Sequence, residues 1–292
     1  MKKVLLGTSA LLLTTSIAWA EVSVGGDGRM GIVGGGTDDT ATTGTDETDL
    51  AFTSRIRISF SASGETDGGL TFGGSIRADN SVGGAAGTAG SVFAEGAFGK
   101  ISMGDVSGAP EAAVGDVSGV GLTGLGDYNE MTYLSNTDRS AMRYDYVTGS
   151  LGFHVSADNP GAFNTSEAIG VAVTYGMGDI SFGLGYEENE TSDHLIGGVS
   201  AGFGDATVKA IYGTADLAGT DFDQYGVSLD YVFGAATATA FFVSKDTGGT
   251  AVDTMGVGMA YDLGGGASLK GGYVDSDAET DGRYDFGLSM SF

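Results

Sequence analysis

Period-two alternation runs through most of this chain, and its last ten residues show the pattern plainly. In Arg283-Tyr-Asp-Phe-Gly-Leu-Ser-Met-Ser-Phe292, the side chains of Tyr284, Phe286, Leu288, Met290 and Phe292 fall on one side of an extended backbone. Arg283, Asp285, Gly287, Ser289 and Ser291 fall on the other. One face is large and apolar; the other is small, polar or charged. The same division recurs upstream. Ile56, Ile58 and Phe60 alternate with Arg55, Arg57 and Ser59, and Ile180, Phe182, Leu184 and Tyr186 with Ser181, Gly183, Gly185 and Glu187. Such a chain is built of strands with two unlike faces.

Sixteen strand cores can be placed, at 21–33, 50–62, 70–80, 91–98, 101–106, 140–148, 151–158, 168–176, 180–188, 194–203, 206–214, 224–233, 235–245, 252–263, 267–275 and 283–292. Short connectors such as Gly99-Lys100, Gly149-Ser150 and Gly204-Asp205 carry the glycines that tight hairpins need. They alternate with longer connectors, including 34–49, 81–90, 107–139, 215–223 and 246–251. The connector at 63–69 is long for its slot.

Beyond the first twenty residues, no segment approaches the ~18 consecutive apolar residues of a membrane helix. Alternation alone fits a soluble sandwich or a membrane barrel. Three features favour the barrel: aromatics at strand ends, an inward face with almost nothing large and apolar, and a terminal Phe292 on an amphipathic last strand. That last feature resembles the signal read by the bacterial barrel-assembly machinery. The expected fold is therefore all-β: a 16-stranded antiparallel transmembrane β-barrel in which the first and last strands pair.

Residues 1–20 read as a signal peptide. Lys2 and Lys3 precede an apolar stretch, and Ala18-Trp19-Ala20 supplies a small-x-small cleavage site. Residues 21–292 are then a single barrel domain, exported through the periplasm to the outer membrane. Removing the leader takes two of the 13 basic residues and none of the 38 acidic ones, so 11 against 38 leaves a net charge of −27. Such an acidic surplus argues against nucleic acid as a partner. It leads us to expect a modest preference for cations.

Enzyme motifs are absent or out of context. There is no HExxH and no GxxxxGK[ST] loop. Gly198-Val-Ser-Ala-Gly202 matches GxSxG but sits inside an expected strand, and Gly119-Val-Gly-Leu-Thr-Gly124 matches GxGxxG with no helix after it. His154 falls on the lumen side of its strand and His194 at a loop–strand junction, neither with a serine partner the sequence can place. We expect a non-enzyme without a cofactor. Carboxylates at Asp38-Asp39, Asp46-Glu47, Asp49 and in the long loop are candidates for a structural Ca²⁺ or for bridging to lipopolysaccharide.

Charge placement points to a pore. Arg29, Arg55, Arg57 and Arg77 lie on the polar faces of the first three strands, which sit ~4.8 Å apart when paired. The longest connector carries Glu111, Asp116, Asp127, Glu130 and Asp138, with Asp105 just before it. A sixteen-stranded barrel is too wide for side chains to fill. Folding this loop inward would set its carboxylates opposite the wall arginines and narrow the lumen.

The chain resembles the trimeric general-diffusion porins of Gram-negative bacteria, in particular the alphaproteobacterial type. The resemblance is carried by Glu21-Val-Ser-Val-Gly-Gly-Asp-Gly-Arg-Met-Gly31, Ser91-Val-Phe-Ala-Glu-Gly-Ala-Phe-Gly-Lys-Ile-Ser-Met-Gly-Asp105, Tyr225-Gly-Val-Ser-Leu-Asp230 and Gly256-Val-Gly-Met-Ala-Tyr-Asp-Leu-Gly-Gly-Gly-Ala-Ser268. It implies a homotrimer with a third external loop folded into the pore. It also implies wall arginines at Arg29, Arg55, Arg57 and Arg77, a constriction-loop motif at Pro110-Glu111 and Gly115-Asp116, and a trimer face on Val22, Val24, Met30, Ile32, Phe286 and Leu288. The expected function is passive diffusion of small hydrophilic solutes and ions. The alternatives are a solute-selective outer-membrane channel and a structural barrel without an open pore.

Overall fold

The computed structural model describes residues 21–36, 50–80, 89–135, 141–158 and 167–292. The expected leader lies outside these residues, as do Asp38, Asp39, Asp46, Glu47, Asp49 and Asp138.

Sixteen antiparallel strands close into one barrel in sequence order: β1 (Glu21–Gly34), β2 (Ala51–Glu65), β3 (Thr71–Asp79), β4 (Ala89–Gly96), β5 (Gly99–Gly104), β6 (Ala141–Thr148), β7 (Leu151–Ala157), β8 (Ile169–Met177), β9 (Ile180–Glu188), β10 (Ser192–Phe203), β11 (Ala206–Leu217), β12 (Asp221–Phe233), β13 (Ala236–Thr247), β14 (Thr250–Gly264), β15 (Ala267–Ser276) and β16 (Arg283–Ser291). β1 and β16 seal it, with Met30 opposite Leu288 and Ile32 opposite Phe286. The Phe292 amide donates to Gly26 O at 3.0 Å, and Gly26 N donates to Phe292 O at 2.7 Å. No strand edge is left for lipid to meet.

Alternation sorts the side chains. Val24, Phe52, Phe60, Val92, Tyr231 and Met255 are exposed on the outer face, Phe52 by 95 %. Several strands run farther than their apolar pattern. β11 reaches Leu217 and β13 reaches Thr247, so the expected long connectors at 215–223 and 246–251 shrink to 218–220 and 248–249. Pairing continues through polar partners, Asp216 with Asp221 and Thr247 with Thr250. Hydropathy marks only the height of the apolar band, whereas hydrogen bonding extends the ladder beyond it.

The wall is uneven. β12 and β14 have 13 and 15 residues, but β4 has 8 and β5 only 6. The inner face is also less uniformly polar than its sequence pattern predicts. Ile196, Ile211, Phe241, Val243 and Val274 are buried there in a cluster with Val114, Val117, Val120, Leu125 and Met131 of the β5–β6 connector. That connector contains the short helix α1 (Ala109–Val114), with Pro110 in its first turn.

Candidate pore constriction

The connector lies flat on the inner face because the wall offers glycines where it crosses. A Cβ on Gly185 would lie 2.6 Å from Pro110 Cβ, and one on Gly258 would lie 2.8 Å from Val120 Cβ. Burying the apolar cluster removes side chains such as Phe241 and Ile196 from water, each contributing roughly 1.5–3 kcal/mol.

Polar anchors fix the rest of the segment. The Ala109 amide donates to Ser156 Oγ at 2.8 Å, and Ser118 Oγ donates to Asp230 at 2.6 Å. Asp285 accepts from the Leu122 amide at 2.9 Å, the Thr123 amide at 2.6 Å and Thr123 Oγ1 at 2.7 Å. Gln224 accepts from the Thr132 amide at 2.7 Å and donates to Thr132 O at 2.8 Å. Glu187 accepts from the Leu134 amide at 2.7 Å and from Ser135 Oγ at 2.7 Å. His194 lies inside β10, fully buried, not at the junction its sequence position predicts.

The four arginines occupy adjoining positions on β1, β2 and β3. Arg29 stands directly opposite Arg55. Arg55 pairs with Asp27 at 3.0 Å and Arg57 with Asp79 at 2.5 Å. Arg29 donates to Thr123 O at 3.2 Å, holding the connector's tip from the strand next to that of Asp285. Arg77 has no ion pair or side-chain hydrogen bond among the described residues, and its Nε is buried.

The expected acids separate into two groups. Asp105 lines a recess with Arg77, and Asp127 lies near enough to Arg29 to attract it. Asp116 and Glu130 face Lys245, and Asp116 also faces Lys209. Glu111 bonds Ser107 and feels Arg143. Burial raises the Glu111 carboxyl above its ordinary range. It does the same for Asp116, against the opposing pull of the Met131 amide and the two lysines. Glu130 is raised by burial and then by Asp127 and Asp116.

Lys209 and Lys245 are therefore part of the charge arrangement, although no motif announces them. Each sits alone on the inner face of its strand, between apolar or hydroxyl neighbours. The same alternation that picks out the arginines would have found both. On the β6–β8 wall, Asp145 accepts from Arg143 Nε at 3.0 Å and lies 2.7 Å from His154 Nδ1, and His154 Nε2 is 3.2 Å from Thr174 Oγ1. The GxSxG match lies within β10, where Gly198 meets Val114. Among the described residues, no three His, Cys, Asp or Glu side chains converge as a metal-holding cluster.

The Gram-negative porin family matches residues 7–281. The porin of Rhodobacter capsulatus is 35% identical over 312 aligned residues, which cover 93% of this chain and 100% of that protein. A solved porin structure superposes with a TM-score of 0.80 at 34% identity, covering 93% of this chain and 100% of the other. A substituted Rh. blastica porin gives a TM-score of 0.72 at 21% identity over the same shares, a likeness of fold. With its closed sixteen-stranded barrel and a sequence match along nearly its whole length, the chain belongs to the Gram-negative porins, outer-membrane channels for passive diffusion.

Proposed function

We propose that the segment 105–135 is the constriction of this channel, and that the narrowest passage lies between it and the arginine wall. Arg29, Arg55, Arg57 and Arg77 supply the positive side; Asp105, Glu111, Asp116, Asp127 and Glu130 supply the negative side. The observation that carries this is the docking of the segment on the inner face at its start, middle, tip and end, through Ser156, Asp230, Asp285 and Glu187. A segment so fixed narrows the lumen permanently. Polar solutes exchange water for wall contacts in the transverse field, while apolar solutes disrupt ordered water without compensation. Lys209 and Lys245 offset part of the acidic charge, so cation preference is modest.

The assembly we propose is a homotrimer. A six-residue strand rises roughly 20 Å along its axis and about 14 Å along a barrel normal at 45° tilt, well short of the ~25 Å apolar band. β5 has that length, and on the same arc of the barrel, four strands away, β1 carries exposed Val22, Val24 and Met30. Covering this side with another copy solves both problems. Export behind the leader, delivery through the barrel-assembly machinery by Phe292 and contact with lipopolysaccharide complete the proposal. Planar-bilayer recording with a solute-size series tests it. Large, non-saturating conductance steps with a sharp size limit and weak cation preference are expected; their absence, or clear anion preference, refutes it.

A further inference from the structure

The recess on the β2–β4 wall holds an unlike pair of charges that do not meet. Arg77 and Asp105 both line it, and four hydroxyls, Ser59, Ser61, Ser75 and Ser91, form the rest of its polar surface. Its volume is about 290 Å³, and it opens to the lumen. Arg55 and Arg57 each have a carboxylate within contact distance. Neither Arg77 nor Asp105 has a side-chain partner among the described residues, and they form no ion pair with each other.

The backbone fixes where each is rooted. Asp105 is pinned by its amide, which donates to Gly90 O at 2.9 Å. Gly104, just before it, has φ 112°, and a Cβ there would come within 2.4 Å of Gly90 O. Arg77 is fixed by its ladder position, opposite Ser59 and Ala89. The result is a cation and an anion across a hydroxyl-lined gap. A solute carrying one charge satisfies one side and leaves the other in water. A small zwitterion satisfies both, with serine hydroxyls to bond its remaining polar atoms.

We propose that this recess is a weak subsite for small zwitterionic solutes, the α-amino acids above all. The carboxylate docks on the Arg77 fork and the ammonium group on Asp105. The subsite presupposes the open, constricted lumen proposed above and names a solute class that lingers in it. Exposed ion pairs are individually weak, so occupancy is brief and flux is not blocked.

Glycine and glycerol distinguish the cases, because glycine is zwitterionic at neutral pH and adds no ions to the bath. The intact protein is reconstituted in planar bilayers, and its conductance is titrated with each solute and with acetate. Glycine is expected to lower the current saturably, glycerol only in proportion to viscosity, and acetate with weaker saturation than glycine. Arg77→Gln and Asp105→Asn are each expected to weaken glycine half-saturation by about three- to fivefold. Should Arg77→Gln fail to assemble, Arg77→Lys keeps the charge, loses the two-pronged carboxylate contact and weakens half-saturation less. Equal effects of glycine and glycerol in an open channel overturn the subsite and leave the channel standing. Acetate matching glycine, with Asp105→Asn silent, also overturns it, because the recess is then an anion site. Absence of conductance steps in every protein overturns the constricted channel itself.

Discussion

Glu187 on β9 accepts the Nδ1 proton of His194 on β10 at 2.9 Å, and both side chains are buried beneath the end of the β5–β6 connector. The ring's other nitrogen, Nε2, lies 3.0 Å from Gln224 Nε2, which can only donate. The ring therefore accepts at Nε2 and donates at Nδ1. Gln224 in turn holds Thr132 by both its amide groups, so one chain of bonds runs from β9 through β10 and β12 into the segment.

Replacing Glu187 by alanine leaves His194 Nδ1, the Leu134 and Ser135 amides and Ser135 Oγ without their acceptor. Buried donors without partners cost about 1–3 kcal/mol each when water cannot reach them. We expect Glu187→Ala to destabilise the docked segment by ~3 kcal/mol after partial rehydration. Limited proteolysis should then cut between Met131 and Ser135, while the barrel keeps its strand signature by circular dichroism. Resistance to cleavage equal to wild type would contradict the latch.

At the segment's tip the same logic singles out Asp285. It accepts from two backbone amides and a hydroxyl of Leu122 and Thr123, while Arg29 on the adjoining strand donates to the carbonyl of Thr123. Asp285→Ala is expected to free the tip and raise single-channel current noise, with a cost of about 2 kcal/mol to docking. Arg29→Ala should raise noise and also lower anion entry. Asp285→Ala, which removes a carboxylate beneath the segment, should leave ion preference nearly unchanged. Reversal potentials in a salt gradient separate the two effects.

Acidification acts on the segment's own acids. Burial raises Glu111, Asp116 and Glu130 above their ordinary values, so they take up protons at higher pH than solvated carboxylates do. Cation preference should begin to fall while exposed loop acids are still charged. The stability term has the opposite sign to that of a salt-bridged acid. For a raised carboxyl, the stabilising contribution is complete below its ordinary value and is lost as pH rises through the raised one. The docked segment should thus tighten, not loosen, as pH drops from 7 toward 4.5. Reversal potentials and amide-exchange protection over that interval check both statements. Greater mobility at the acid end would refute the second.

The alternation made the barrel legible down to the strand count, because each outward side chain is selected individually by contact with lipid. The arginine wall was legible for a related reason: Arg29, Arg55, Arg57 and Arg77 share the inner face of consecutive strands, and sheet register brings them together automatically. Inward folding of the long connector is expected from its length and from the family resemblance, but the contacts that dock it are not legible. Ile196, Phe241 and Val274 touch Val114, Val120 and Leu125 across large separations in the chain, and no periodicity encodes a contact between an irregular segment and a distant wall. Inner-face glycines such as Gly183, Gly185 and Gly226 read as small polar-face residues. In the structure they mark where the segment presses on the sheet. Alternation places Lys209 and Lys245 on the inner face, but each stands alone on its strand, with no like neighbour in sequence to mark it as part of a charge group.

Those glycines supply the most discriminating test of the docking. Gly185 sits under Pro110, and an alanine there would place its Cβ 2.6 Å from Pro110 Cβ and 2.7 Å from Pro110 Cα. Neither atom can move away alone, because the ring is part of α1 and the amide of the preceding residue, Ala109, is held by Ser156. The helix must therefore lift, at the 1–3 kcal/mol typical of overpacking. Gly176, in the preceding strand, has nothing within 4 Å of a new Cβ, so the same substitution there should be neutral or slightly stabilising in a strand. Gly185→Ala should displace the start of the constriction and alter the size limit for uncharged sugars, with Gly176→Ala matching wild type. If both variants pass the same solutes at the same rates as wild type, the packing of α1 on β9 does not set the aperture.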